Sequence, residues 1–138
     1  MHRIPVLAAL SLFTLTGAAF AATDAPQRKP GYWELTTVAP MIGMKTTNVC
    51  IGTKDDIVTP ENSGECSPPK VTPAGGETIV DVVCANAAGK QTISTVLTGD
   101  FKTGYKAIVK MTFDPPLGKT DKMGVTIEGK YLTAQCPK

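Results

Sequence analysis

The sequence predicts an all-β domain: an antiparallel up-and-down meander of about seven strands, forming a small barrel or a two-layer sheet and stapled by disulfides. Three observations predict it. Apolar and polar residues alternate with period two, clearest where Tyr105, Ala107, Val109, Met111 and Phe113 interleave with Lys106, Ile108, Lys110 and Thr112. Clusters rich in Gly and Pro divide the chain at short intervals, and no stretch beyond the first 21 residues keeps a helical period. Four cysteines, an even number, lie beyond the same point.

Residues 1–21 have a basic start (His2, Arg3), an apolar stretch from Ile4 to Leu15 and a small-residue ending at Ala19-Phe20-Ala21. This is the pattern of a cleaved secretory signal peptide, too short and too interrupted by Thr14, Thr16 and Gly17 to span a bilayer. No cysteine stands at the cut to carry a lipid, so the expected product is a periplasmic protein and not a lipoprotein, with no transmembrane segment after cleavage. Removing 21 of 138 residues leaves 117, the size of one domain.

Residues 22–30 are polar, contain Pro26 and Pro30, and predict a flexible lead-in to a single β domain over 31–138. Gly31 to Val38 is aromatic and β-branched, with Trp33, Leu35 and Thr37 on one face and Tyr32, Glu34 and Thr36 on the other. Pro40 to Met44 turns the chain, and Lys45 to Ile51 returns it. Thr53 is placed to cap one helical turn through Ile57, which Pro60 ends. Residues 60–70, with four Pro or Gly, read as a loop. A hairpin centred at Gly75, with Gly76 supplying the positive φ, follows. Gln91 to Phe101 and the Tyr105 strand form another around Lys102-Thr103-Gly104. After the break at Pro115, Pro116 and Gly118, Val125, Ile127 and Tyr131 mark the last strand.

A hairpin centred at Gly75 pairs residues whose numbers sum to 150, which sets Cys66 opposite Cys84. The predicted bridges are therefore Cys66-Cys84 and, from the remaining pair, Cys50-Cys136, the latter favouring a closed or nearly closed barrel. No two cysteines have Cys-x-x-Cys spacing, so redox and zinc-ribbon roles have no motif here.

Composition excludes several functions. There are 14 Lys and Arg against 12 Asp and Glu, and loss of Arg3 with the leader leaves a net charge of +1, no footprint for nucleic acid. The only histidine is His2, so the mature chain cannot build a Ser-His-Asp triad, a Cys-His dyad or a histidine-ligated metal. No enzymatic activity and no cofactor are expected. Candidate ligand or partner contacts are Tyr32, Trp33, Met41, Met44 and Lys130. Met41-x-x-Met44 also has the spacing of a soft Cu(I) or Ag(I) site, with Met123 as a third donor. Lys102, Lys106 and Lys110 predict an exposed basic row that guards a sheet edge or meets an anionic envelope surface.

The opening Pro30-Gly31-Tyr32-Trp33-Glu34, the turn Met41-Ile42-Gly43-Met44, the cysteines and the ending Gly129-Lys130-Tyr131 before Cys136 resemble the bacterial exported family known as domain of unknown function 3617. The resemblance implies an exported β domain with no assigned activity. The family's ending is Gly-Arg-Arg-x-Gly-x-Cys, and here Lys130 replaces an arginine and the second glycine is missing. Gly31-x-Trp33 is also similar to the opening of lipocalins, which implies a calyx-like barrel. The function expected is noncatalytic binding of a small apolar ligand or an envelope protein partner.

Overall fold

A computed structural model describes residues 24–60 and 63–138, so the expected signal peptide lies outside the described residues. Eight strands form among them: β1 (Gly31–Ala39), β2 (Gly43–Ile51), β3 (Glu65–Cys66), β4 (Lys70–Ala74), β5 (Glu77–Asn86), β6 (Gly89–Gly99), β7 (Gly104–Leu117) and β8 (Thr120–Thr133). No helix among the described residues is long and apolar enough to cross a membrane.

All neighbours pair antiparallel in one sheet of order β2-β1-β8-β7-β6-β5-β3, with β4 also on β5. The expected barrel does not close: β2 and the short β3 and β4 remain edges. The strands are also not all neighbours in chain order, because β1 pairs β8, from Tyr32↔Thr133 to Val38↔Thr126. β2 and β3, consecutive in the chain, lie at opposite edges of the sheet. Cys50–Cys136 is not a seam across a barrel. Its Cα atoms are 5.7 Å apart and it joins β2 to the tail after β8, with only β1 between those strands. Cys66–Cys84, with a Cα separation of 4.0 Å, links residues directly opposite in the β3–β5 register.

The hairpin before Cys84 has a different centre from the expected one. Pairs such as Lys70↔Asp81 place the turn between Gly75 and Gly76, and the positive φ of 65° belongs to Gly75, not Gly76. Ser67-Pro68-Pro69 then absorbs one residue between β4 and β3, because proline offers no N–H to the ladder. Pro73 is tolerated because β4 is an edge. Lys106 and Lys110 lie on the outer face of β7, an interior strand, and so guard no edge. Lys106 Nζ instead meets Glu128 at 3.2 Å.

Alternation sends one side of each long strand inward. Trp33, Val80, Val82, Cys84, Ile93, Thr95 and Leu97 are fully buried there. Trp33 packs on Tyr105 and Tyr131 with ring centroids 5.7 and 5.5 Å away, and its indole N–H donates to the Lys29 carbonyl at 2.9 Å. The Tyr105 ring lies over Gly129, where any Cβ would collide with the ring edge, so this position admits only glycine without a shift of the aromatic cluster.

Candidate functional site

Residues 57–60 lie over the inner face, with Ile57 and Val58 packed against the core. The helical turn expected at Thr53–Ile57 does not form, because its acidic residues have other partners. Asp56 Oδ1 accepts the backbone N–H groups of Val58 and Thr59 at 3.0 and 2.9 Å, a local turn that drives Val58 into the core. Ser63 Oγ donates to the Pro60 carbonyl at 2.6 Å.

Asp55 holds the other end of this cover. Its Oδ2 accepts from Arg28 Nε at 2.9 Å and from the Arg28 backbone N–H at 3.0 Å, while Oδ1 accepts from Nη2 at 2.7 Å. Arg28 Nη1 donates to the Tyr105 hydroxyl at 3.1 Å, and Lys29 N–H donates to the Phe101 carbonyl at 2.8 Å. The lead-in expected to be flexible is therefore pinned at Arg28 and Lys29. The fork matches a carboxylate geometrically, and both side chains are nearly buried, at 10% and 5% exposure.

Burial alone would raise the Asp55 carboxyl, but the hydrogen bonds and charge of Arg28 outweigh it and hold the group below its ordinary range. A lowered folded-state pKa gives stability that is complete above the ordinary carboxylate value, near 4, and is lost as pH falls through the lowered one. Asp55→Asn, which keeps the shape but loses charge-assisted hydrogen bonds, is expected to cost about 1.5–3 kcal/mol at pH 7. Urea unfolding of both proteins between pH 7 and 2 checks this, the difference shrinking below about pH 4.

Between cover and sheet runs an apolar groove of about 220 Å³. Ile57, Val58, Thr59 and Pro60 form one wall, and Thr95, Val109, Met111, Val125 and Ile127 form the floor. The lining has no titratable side chain; its only polar side chains are the two threonines. Met111 is held in place by Gln91, whose Nε2 donates to Sδ at 3.2 Å. A wider hollow of about 470 Å³ between residues 24–27 and Asp55–Val58 is open and partly acidic, lined by Asp24, Asp55 and Asp56.

The residues singled out from sequence lie elsewhere. Trp33 is wholly buried and Tyr32 half-buried, on opposite faces of β1. Lys130 is exposed on the outer face, opposite Glu34 in the β1–β8 register. Met41 and Met44 are at the β1–β2 tip, 82% and 74% exposed. Met123 is on the inner side opposite Met111, whereas Met44 pairs with Val38, which alternates to the outer side. The groove floor was visible in the sequence as the apolar face of the last strands; its wall was not, because Ile57–Pro60 carries no strand or helix period.

These features define a class: an open antiparallel sheet, stapled twice, with an apolar groove beneath a cross-over cover. The family model described as "Protein of unknown function (DUF3617)" matches residues 28–136, and the chain belongs to that family. The match begins at Arg28, the residue that latches the cover, and ends at Cys136. No curated protein and no solved structure matches the chain.

Proposed function

We propose that this chain is an exported, noncatalytic binding domain that holds a small apolar ligand in the groove between Ile57–Pro60 and β6–β8. The observation that carries the reading is the groove's lining: seven apolar side chains, two threonines and no group able to transfer a proton or bind a charge. Its size suits a single alkyl chain or one ring. Two disulfides suit an oxidising compartment such as the periplasm, in keeping with a leader at residues 1–21.

Titration of the mature protein with the apolar dye N-phenyl-1-naphthylamine tests it. The expected result is saturable binding of one dye, displaced by a fatty acid, and weakened at least tenfold by Met111→Glu. Met111 is half-exposed, so the variant is expected to keep its fold, checked by circular dichroism. Absence of saturable binding, or binding unchanged in the folded variant, overturns the reading.

A further inference from the structure

The turns after β1, β5 and β7 all lie at one end of the sheet, as the antiparallel registers require. At this end the β1–β2 hairpin exposes Val38, Met41, Ile42 and Met44, at 44%, 82%, 60% and 74%. A Cβ built on Gly43 would meet nothing within 4 Å, so the tip stands clear of the body. The β1–β8 register sets it level with the start of β8, where Lys122 faces Thr112 and Gly124 faces Lys110. The segments forming this end, 38–45, 65–66, 86–91 and 110–123, hold five lysines and three carboxylates, Glu65, Asp114 and Asp121. Among the described residues, none of these lysines is in an ion pair.

We propose that this end docks on the surface of a bilayer containing anionic lipid, with Met41 and Ile42 inserted among the acyl chains and Lys45, Lys110, Lys119 and Lys122 facing the headgroups. The tip's shape selects this occupant. Four side chains on a projecting turn are too few to bury the roughly 800 Å² per partner of a standard protein interface. Insertion to about 5–10 Å beside basic residues is what an interfacial anchor requires. Docking here does not depend on the groove being occupied, so the two readings fail separately.

Co-flotation of the mature protein with vesicles tests the proposal. Binding is expected to phosphatidylglycerol-containing vesicles and to be at least tenfold weaker to pure phosphatidylcholine. It is expected to fall several-fold between 50 and 500 mM salt, as screening shortens the reach of the lysines. The double substitution M41S/I42S removes only exposed apolar groups and is expected to weaken binding about tenfold or more while leaving Tm unchanged. No flotation with anionic vesicles, or equal flotation of wild type and M41S/I42S, overturns it. A monomer–dimer equilibrium in ultracentrifugation that M41S/I42S abolishes would assign the tip to a second copy of the chain, and also overturns it.

Discussion

Trp33→Ala is expected to destabilise the domain by roughly 3–5 kcal/mol, the usual cost of truncating a fully buried tryptophan. The reason is more than the lost volume. Trp33 joins three separate parts of the chain: Tyr131 on its neighbour strand, Tyr105 two strands away, and the Lys29 carbonyl in the segment before β1. Alanine leaves a cavity between two rings and takes the donor from Lys29. It also loosens Tyr105, which receives a hydrogen bond from Arg28, so the Arg28 latch on Asp55 and the cover that follows it weakens too. Trp33→Phe keeps one ring and is expected to cost less, roughly 1–2 kcal/mol, chiefly through the lost indole N–H and the smaller volume. Urea denaturation followed by far-ultraviolet circular dichroism checks both, since neither variant retains tryptophan fluorescence.

Replacing Cys50 and Cys136 together by alanine is expected to cost roughly 4–5 kcal/mol, because the closed loop spans 86 residues. The pair Cys66 and Cys84 closes a loop of 18 residues, worth about 3 kcal/mol in the same chain-entropy account. Against a domain stability of about 5–15 kcal/mol, either loss is a large fraction. Denaturant midpoints of the two double variants check the order, the Cys50/Cys136 variant unfolding first.

Much of the architecture is written in local pattern. The interleaving from Tyr105 to Phe113 identifies a strand with one apolar face, and the alternation through Val125 and Ile127 supplies the floor of the groove. What the sequence does not display is which strands become neighbours at a distance. Turn chemistry encodes hairpins, but β1 meets β8 through no turn, so a chain-order meander and a closed barrel fit the same residues. The latch was hidden for a similar reason. Arg28 and Asp55 are 27 residues apart in irregular segments, where Arg28 has the local signature of a tail and Asp55 that of a helix's first turn. The groove's wall was invisible because Val58 is placed by side-chain bonds from Asp56, which leave no periodic trace.

The pairing of the first strand with the last has a consequence for how the molecule comes into being. Until Thr126–Thr133 has been made, β1 and β2 form an isolated hairpin, which is marginal in water, and Trp33 lacks Tyr131. The non-local contacts that complete the sheet therefore arrive late and together, a topology that folds slowly. A chain threaded lengthwise from its N-terminus through any narrow channel cannot assemble this sheet until nearly its whole length is through.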